Sequence, residues 1–195
     1  MLKFPLEDEE YILKSLTDTE LCDIEFSDDQ MNRFFKEDAS DNESELISKI
    51  YFLVQQQDNI PLVGFSLSNS QISAHNDIDI TIPYAQQHKS YPAVRIGKFA
   101  TNKKYLRKGF GRIAMSLIKL WFLMPNKTGC RYIVVDSRRT EEAEGFYYDN
   151  GFEDYPKDDL SKDTKLMYFD LLAYKRSLER YDLQGINSTP KIIIS

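Results

Sequence analysis

The chain has 195 residues, 42% of them hydrophobic and 29% charged, with a formal net charge of −6, an ordinary balance for one globular domain with a core of its own. No apolar run approaches the roughly 18 residues of a membrane span, and the first residues, MLKFPLEDEEY, turn acidic where a signal peptide turns apolar, so a cytoplasmic protein is expected. Cys22 and Cys130 lie far apart without a CxxC, and His75 and His88 add no metal-ligand spacing, which predicts a reduced, metal-free protein.

In chain order, Tyr11, Ile12, Leu13 and Leu16 fall near helical spacing and predict a short amphipathic helix over 9–16. Leu21 to Phe26 fits a strand. Ser27-Asp28-Asp29-Gln30 is a cap signal for a helix that Met31, Phe34 and Phe35 anchor as far as about Ala39. Residues 38–45, DASDNESE, are apolar only at Ala39 and predict an exposed loop. Ile50 to Val54 and Leu62 to Ile72 read as strands of a hairpin. Residues 73–92 are polar and irregular, with a short alternating strand at Ile78, Ile80 and Ile82; a connection this long is more often functional than decorative.

Val94 to Ala100 alternates as a strand, and an apolar helix runs from about Gly109 to Met124. After a turn at Pro125 to Gly129, Tyr132-Ile133-Val134-Val135 is the most strand-like run of the chain and ends at Asp136. Thr140 can cap a helix through Ala143, Phe146 and Tyr147 to Asn150, with Gly151 as its stop. Leu166 to Phe169 is a further strand, residues 171–182 a last helix, and the tail KIIIS suits an edge or a partner strand. The order predicts one mixed α/β domain over 1–182 followed by a tail, 183–195.

The net charge hides a segregation: residues 1–93 carry −12, residues 94–139 carry +11 and residues 140–195 carry −5. A basic block in an acidic chain implies a local anionic partner. Within it, VRIGKFATNKKYLRKGFGR (Val94 to Arg112) is a strand feeding a glycine-rich turn that opens a helix. Glycines let a ligand approach the backbone, N–H groups point outward, and the helix dipole favours an anion. Lys103, Lys104, Arg107, Lys108 and Arg112 crowd the same turn, which reads as a phosphate cradle.

Gly109 to Ala114 also fits the dinucleotide fingerprint G-x-G-x-x-A, with Asp136 ending a strand 25 residues after Gly111. Thr101 to Lys108 separate those glycines from their strand, however, and too little chain follows Asp136 for further βα units. A nucleic-acid-binding protein using Arg95 to Arg139 is a second alternative, and it would show steep salt dependence. The succession IGKFAT, NKKYLRKGFGR, apolar helix, strand ending VVD and AEGFYYDNGF resembles the GNAT N-acetyltransferases over roughly residues 20–170. In that family an R/Q-x-x-G-x-G/A loop binds the pyrophosphate of acetyl-CoA, and an A-x-x-F-Y-x-x-x-G-F segment carries a tyrosine near the thiol. The second motif is complete here as Ala143, Phe146, Tyr147, Gly151 and Phe152. The first departs at its opening position, where Leu106 replaces Arg or Gln, with Arg107 beside it.

The resemblance implies a GNAT fold: a central mixed, mostly antiparallel sheet splayed between two strands, with helices on both faces. It implies acetyl-CoA as co-substrate, held by Phe99, Ala100, Thr101, Arg107, Lys108, Gly109, Phe110, Gly111 and Arg112, with Lys103, Lys104, Arg138 and Arg139 as candidates for its outer phosphate. A neutral amine would attack the thioester directly through a tetrahedral intermediate, and Tyr147 would be the general acid. An amine with a pKa of about 8 partly deprotonates unaided, so a general base need not be present; Asp136 reads as structural or as a binder at a strand end, and Tyr148 as a surface residue. The segments FSDDQMNRFFKEDA, LVGFSLS and PAVRIGKFAT further resemble the GNAT toxins of bacterial toxin–antitoxin pairs, which acetylate the α-amine of aminoacyl-tRNA. That narrows the expected partners to aminoacyl-tRNA and an antitoxin protein. A small amine or peptide amine as acceptor, a non-catalytic acyl-CoA-binding module, and a homodimer through the C-terminal strand stay open at this point.

Overall fold

The computed structural model describes residues 2–6, 9–19, 24–26, 28–79, 82–123, 129–157, 160–183 and 193–194. In chain order its main elements are β1 (Leu2–Leu6), β2 (Glu9–Ser15), α1 (Asp29–Arg33), α2 (Ala39–Ser44), β3 (Lys49–Gln55), β4 (Ile60–Ser73), α3 (Asn76–Asp79), β5 (Ser90–Thr101), α4 (Phe110–Leu123), β6 (Tyr132–Arg138), α5 (Glu141–Asp149), β7 (Glu153–Asp154), β8 (Thr164–Asp170), α6 (Leu171–Leu183) and β9 (Ile193–Ile194). The chain divides into two compact units: residues 1–68, 97–115 and 178–195, and residues 69–96 with 116–177.

In the first unit β9, β1, β2, β3 and β4 pair antiparallel in that order. Residues 9–16 are therefore not the predicted helix but chiefly strand β2. Tyr11, Ile12 and Leu13 are buried in succession, which a strand covered on both faces achieves and a one-sided helix does not. The expected strand from Leu21 to Phe26 falls partly outside the described residues. Residues 21–23 lie outside the described residues, and Phe26 makes one isolated bridge to Asn102. The predicted cap at Asp28 holds: its carboxylate accepts the N–H groups of Gln30 (2.8 Å) and Met31 (3.3 Å) and starts α1.

The helix then widens into a π turn over Phe34–Asp38, which brings the adjacent rings of Phe34 and Phe35 both into the core. It continues as α2 through Ser44, where a loop over 38–45 is predicted from polarity. Burial of Ala39 anchors this stretch, and Asn42 and Ser44 turn their side chains back onto the carbonyls of Asp38 (2.9 Å) and Asp41 (3.0 Å). The polar residues are the solvated face of a helix, not a loop. Phe35 sits 4.6 Å from the Phe26 ring and 5.5 Å from that of Phe52, with Ile12, Ile50, Val54 and Ala100 around them. The β3–β4 ladder shifts register at Leu53/Val54, where Pro61, lacking an N–H, is accommodated.

In the second unit the order is β7–β8–β6–β5. β8 lies antiparallel to β6 from Tyr132↔Asp170 to Arg138↔Thr164, and β6 lies parallel to β5. The parallel ladder runs only from Ala93↔Tyr132 to Ile96↔Val135. Tyr132, Ile133, Val134 and Val135 are all buried, as the continuous apolar run implies. The predicted strand at Ile78, Ile80 and Ile82 is corrected: Asn76–Asp79 is a helical turn, and Ile80 lies outside the described residues. Its N–H groups are used locally, with Ile78 bonding to the His75 carbonyl at 3.0 Å, while the Ile78 side chain packs beneath Ile72, Tyr91 and Tyr132. Thr140 caps α5 by accepting the Ala143 N–H (3.2 Å), and Gly151 stops it at φ +72, as read from the sequence. No helix among the described residues is long and apolar enough to cross a membrane.

Gly64 shows how tightly the first core is filled: a Cβ there would stand 2.9 Å from Phe52 Cε1 and 3.0 Å from Phe35 Cε1. Gly64→Ala should lower unfolding stability by about 1–3 kcal/mol, measured by urea denaturation.

Candidate functional site

The predicted cradle belongs to the first unit and is built at the end of β5. Lys98 donates its backbone N–H to the Ser66 hydroxyl (2.9 Å) and Asn102 donates its own to the Leu62 carbonyl (2.8 Å), both acceptors on β4. N–H groups alternate between the edges of a strand, so those of Phe99 and Thr101 point to the opposite edge. That is the edge whose ladder with β6 ends at Ile96. The methyl of Ala100 is buried in the Phe26–Phe35 cluster, and the Phe99 ring stacks on Phe65 at 6.4 Å. What this strand end offers a ligand is backbone.

Asn102, which the sequence reading passed over, fixes the chain beyond the strand. It is 4% exposed, its side-chain amide donates to the Pro61 carbonyl (3.0 Å), and its side-chain oxygen accepts the Lys104 N–H (3.1 Å). Its carbonyl accepts the Tyr105 N–H (2.8 Å), and Lys103 bonds to the Glu25 carbonyl (2.7 Å). An asparagine leaving a strand into a polar run is a turn signal that could have found it. The chain makes a 3-10 turn over Lys103–Tyr105 and then reverses through two left-handed residues, Arg107 (φ +58) and Gly109 (φ +86). A Cβ on Gly109 would meet nothing within 4 Å, so that glycine serves backbone angle.

The first bond of α4 runs from the Ile113 N–H to the Gly109 carbonyl (3.1 Å). The N–H groups of Phe110, Gly111 and Arg112 therefore precede the helical ladder. Phe110 is held between Tyr11 and Tyr105, with centroids 5.9 Å from each, and the Lys108 ammonium lies 5.1 Å over the Tyr105 ring. Lys103, Lys104, Arg107, Lys108 and Arg112 are all exposed, as is Leu106 at the departing motif position. First-turn N–H donors and surrounding cations together fit a phosphate group. Lys103 also meets Glu25 at 3.8 Å, a surface pair of small worth.

Tyr147 stands in the second unit, on α5. Its ring packs edge-on against Phe146 (5.3 Å) and Phe152 (5.4 Å), and its hydroxyl makes no hydrogen bond among the described residues. Burial pushes the phenol up to about 12, so it stays protonated at any physiological pH. Tyr148 is committed elsewhere: 44% exposed, it donates to Asp154 (2.8 Å) and accepts from Lys165 (3.0 Å). Asp136 forms an ion pair with Arg95 on the neighbouring strand, which agrees with its structural reading. Arg139 donates to the Lys162 carbonyl at 2.9 Å, and Arg138 is exposed.

Lys119 is a second residue of interest that the sequence pattern alone does not assign. It is 6% exposed, donates to the carbonyl of Asn150, and lies 4.1 Å over the Phe169 ring. Burial lowers its pKa to about 8. A lone lysine on the apolar face of a helix is the signal that was available.

No family model and no curated protein matches the sequence. Solved structures do. A tyrosine-to-phenylalanine variant of KacT is 18% identical with a TM-score of 0.68, over 85% of this chain and 98% of that one. AtaT complexed with acetyl-methionyl-tRNAfMet is 19% identical with a TM-score of 0.68, over 86% of this chain and 99% of the other. A structure described as a bacterial toxin is 12% identical with a TM-score of 0.69, over 86% and 96%. The shared architecture is the GNAT fold, with a mixed, mostly antiparallel sheet.

Two outcomes follow from the geometry. Asn102→Ala strips the Pro61 carbonyl and the Lys104 N–H of their partner and should cost about 1–3 kcal/mol in urea denaturation, with faster proteolysis at the turn. The folded pKa of Lys119, about 8, lies below its unfolded value of 10.5, so between these values the unfolded chain binds the extra proton and stability rises with pH. Relative to Lys119→Met, the natural protein should therefore gain about 3 kcal/mol of stability between pH 7.5 and 10.5.

Proposed function

We propose that this chain is an acetyl-CoA-dependent N-acetyltransferase acting on the α-amine of aminoacyl-tRNA, a cytoplasmic toxin held by an antitoxin partner. The observation that carries the reading is the end of β5, where the Phe99 and Thr101 N–H groups face away from β4 and lead into a turn suited to phosphate. The AtaT structures bound to acetyl-CoA, to acetyl-methionyl-tRNAfMet and to the antitoxin AtaR support this choice of co-substrate, acceptor and partner.

The coenzyme would supply an activated acetyl thioester and a thiol leaving group. Backbone N–H groups of Lys108, Gly109, Phe110, Gly111 and Arg112, with the cations of Arg107, Lys108 and Arg112, would hold its pyrophosphate at the positive end of α4. The N–H groups of Phe99 and Thr101, flanking Ala100, would bind the pantetheine arm and the carbonyl oxygen on which negative charge develops. No side chain is required there, so the identity of those residues is constrained by packing alone.

Tyr147 would give its proton to the departing thiolate. Full transfer from a phenol near 12 to a thiol of about 8.5 is uphill by roughly 5 kcal/mol. The phenol therefore acts as a strong hydrogen-bond donor whose proton moves only as the carbon–sulfur bond breaks. A raised pKa suits that task, because the donor never ionises ahead of the chemistry.

The test is transfer of labelled acetyl from acetyl-CoA to a pool of charged tRNA, beside a panel of small amines and peptides. Label on charged tRNA that is lost on deacylation supports the reading; label only on a small amine or peptide replaces the acceptor; coenzyme binding without any transfer replaces the enzyme. Tyr147→Phe should lower kcat by about 10²-fold and leave the coenzyme Kd within about twofold by calorimetry. Unchanged turnover would remove Tyr147 from its role.

A further inference from the structure

Among the described residues Lys119 is the one buried charged side chain. Its surroundings are aromatic rings and one backbone carbonyl. The ammonium lies 4.1 Å from the Phe169 centroid, 5.6 Å from that of Phe152 and 5.9 Å from that of Tyr174, and it donates to the Asn150 carbonyl. Asn150 is the C-terminal cap of α5. Its N–H bonds to the carbonyls of Phe146 (3.2 Å) and Tyr147 (3.1 Å), and its side-chain amide bonds to Phe146 (2.7 Å). Phe152 is shared as well, because its ring touches the ammonium on one side and lies 5.4 Å from the Tyr147 ring on the other.

A cation at the carbonyl end of a helix is favourable, and a charged hydrogen bond in dry surroundings is strong and directional. Filling this volume needs no charge, since a methionine would do so without desolvating an ammonium. A costly charge held against the last turn of α5 serves orientation.

We propose that Lys119 is a positioning residue for Tyr147: through the Asn150 carbonyl and the Phe152 ring, its ammonium holds the last turn of α5 and with it the phenol. This rests on the proton-donor reading of Tyr147. The groups facing the ammonium are the Asn150 carbonyl and the rings of Phe152, Phe169 and Tyr174. Of these only Tyr174 titrates, and burial raises its phenol, which is neutral while Lys119 loses its proton near 8. Above that pH the amine keeps a neutral hydrogen bond and loses the cation.

The experiment is a double-mutant cycle of Lys119→Met and Tyr147→Phe, read as kcat for acetyl transfer to charged tRNA across pH 6.5 to 9.5. Lys119→Met should melt at or above the natural protein at pH 7, lower kcat about 10-fold and leave the coenzyme Kd within about twofold. On the Tyr147→Phe background it should cost nothing further. The natural protein should lose kcat above pH 8 relative to Lys119→Met, whose profile lacks that limb. Lys119→Gln, which keeps a donor without the charge, should show the same kcat loss and serves if the methionine variant folds poorly. Full multiplication of the two single losses, or an unchanged kcat in both Lys119 variants while Tyr147→Phe is slow, would overturn the inference. An unchanged kcat in Tyr147→Phe itself would instead overturn the proton-donor reading, and the inference with it.

Discussion

A strand presents hydrogen-bonding groups on both edges, and at the far end of β5 the two edges differ. On the β4 side the arrangement is complete and partly improvised, since the Ser66 hydroxyl takes the Lys98 N–H where a ladder carbonyl would ordinarily serve. Gly97 leaves the room for it: a Cβ there would stand 3.1 Å from the Ser66 oxygen. On the other edge the parallel ladder stops at Ile96, five residues before the strand ends at Thr101. An edge of outward N–H groups is a liability in a folded protein unless something completes it. On the proposed reading the coenzyme would complete that edge, and the turn after Asn102 would extend the same logic from an amide-binding strand to a phosphate-binding helix end.

What could be read from the sequence was what backbone chemistry dictates. Two glycines at the head of an apolar helix, an alternating strand before them, and a threonine cap with a glycine stop around Tyr147 each have few conformational meanings, and those segments fold as expected. Where an apolar pattern has two meanings, the reading failed. Tyr11-Ile12-Leu13 satisfies a helix face and a doubly covered strand alike, and only pairing with β3 decides between them. The tract 38–45 lacks apolar residues, yet one buried Ala39 and the turns already formed before it carry the helix onward.

Asn102 and Lys119 went unassigned for a common reason. Both are polar residues whose meaning lies in partners distant along the chain: Pro61 and Leu62 for one, Asn150 and Phe169 for the other. Composition treats such residues as solvent-facing by default, and burial reverses that meaning. The left-handed Arg107 belongs with them as a local penalty of about 1–2 kcal/mol by general steric expectation, kept at the mouth of the cradle. The sites of local expense coincide with the sites proposed for chemistry.

The height of the Tyr147 phenol pKa, about 12, has a bearing on how the protein would behave toward reagents. Nitration and iodination of tyrosine proceed through the phenolate, which Tyr147 does not form at neutral pH. A tyrosine such as Tyr84, 69% exposed, would take the label first. Light chemical tagging would therefore mark the surface and spare this ring, leaving a protein whose spectroscopic labels report on its shell while the Tyr147 phenol stays native.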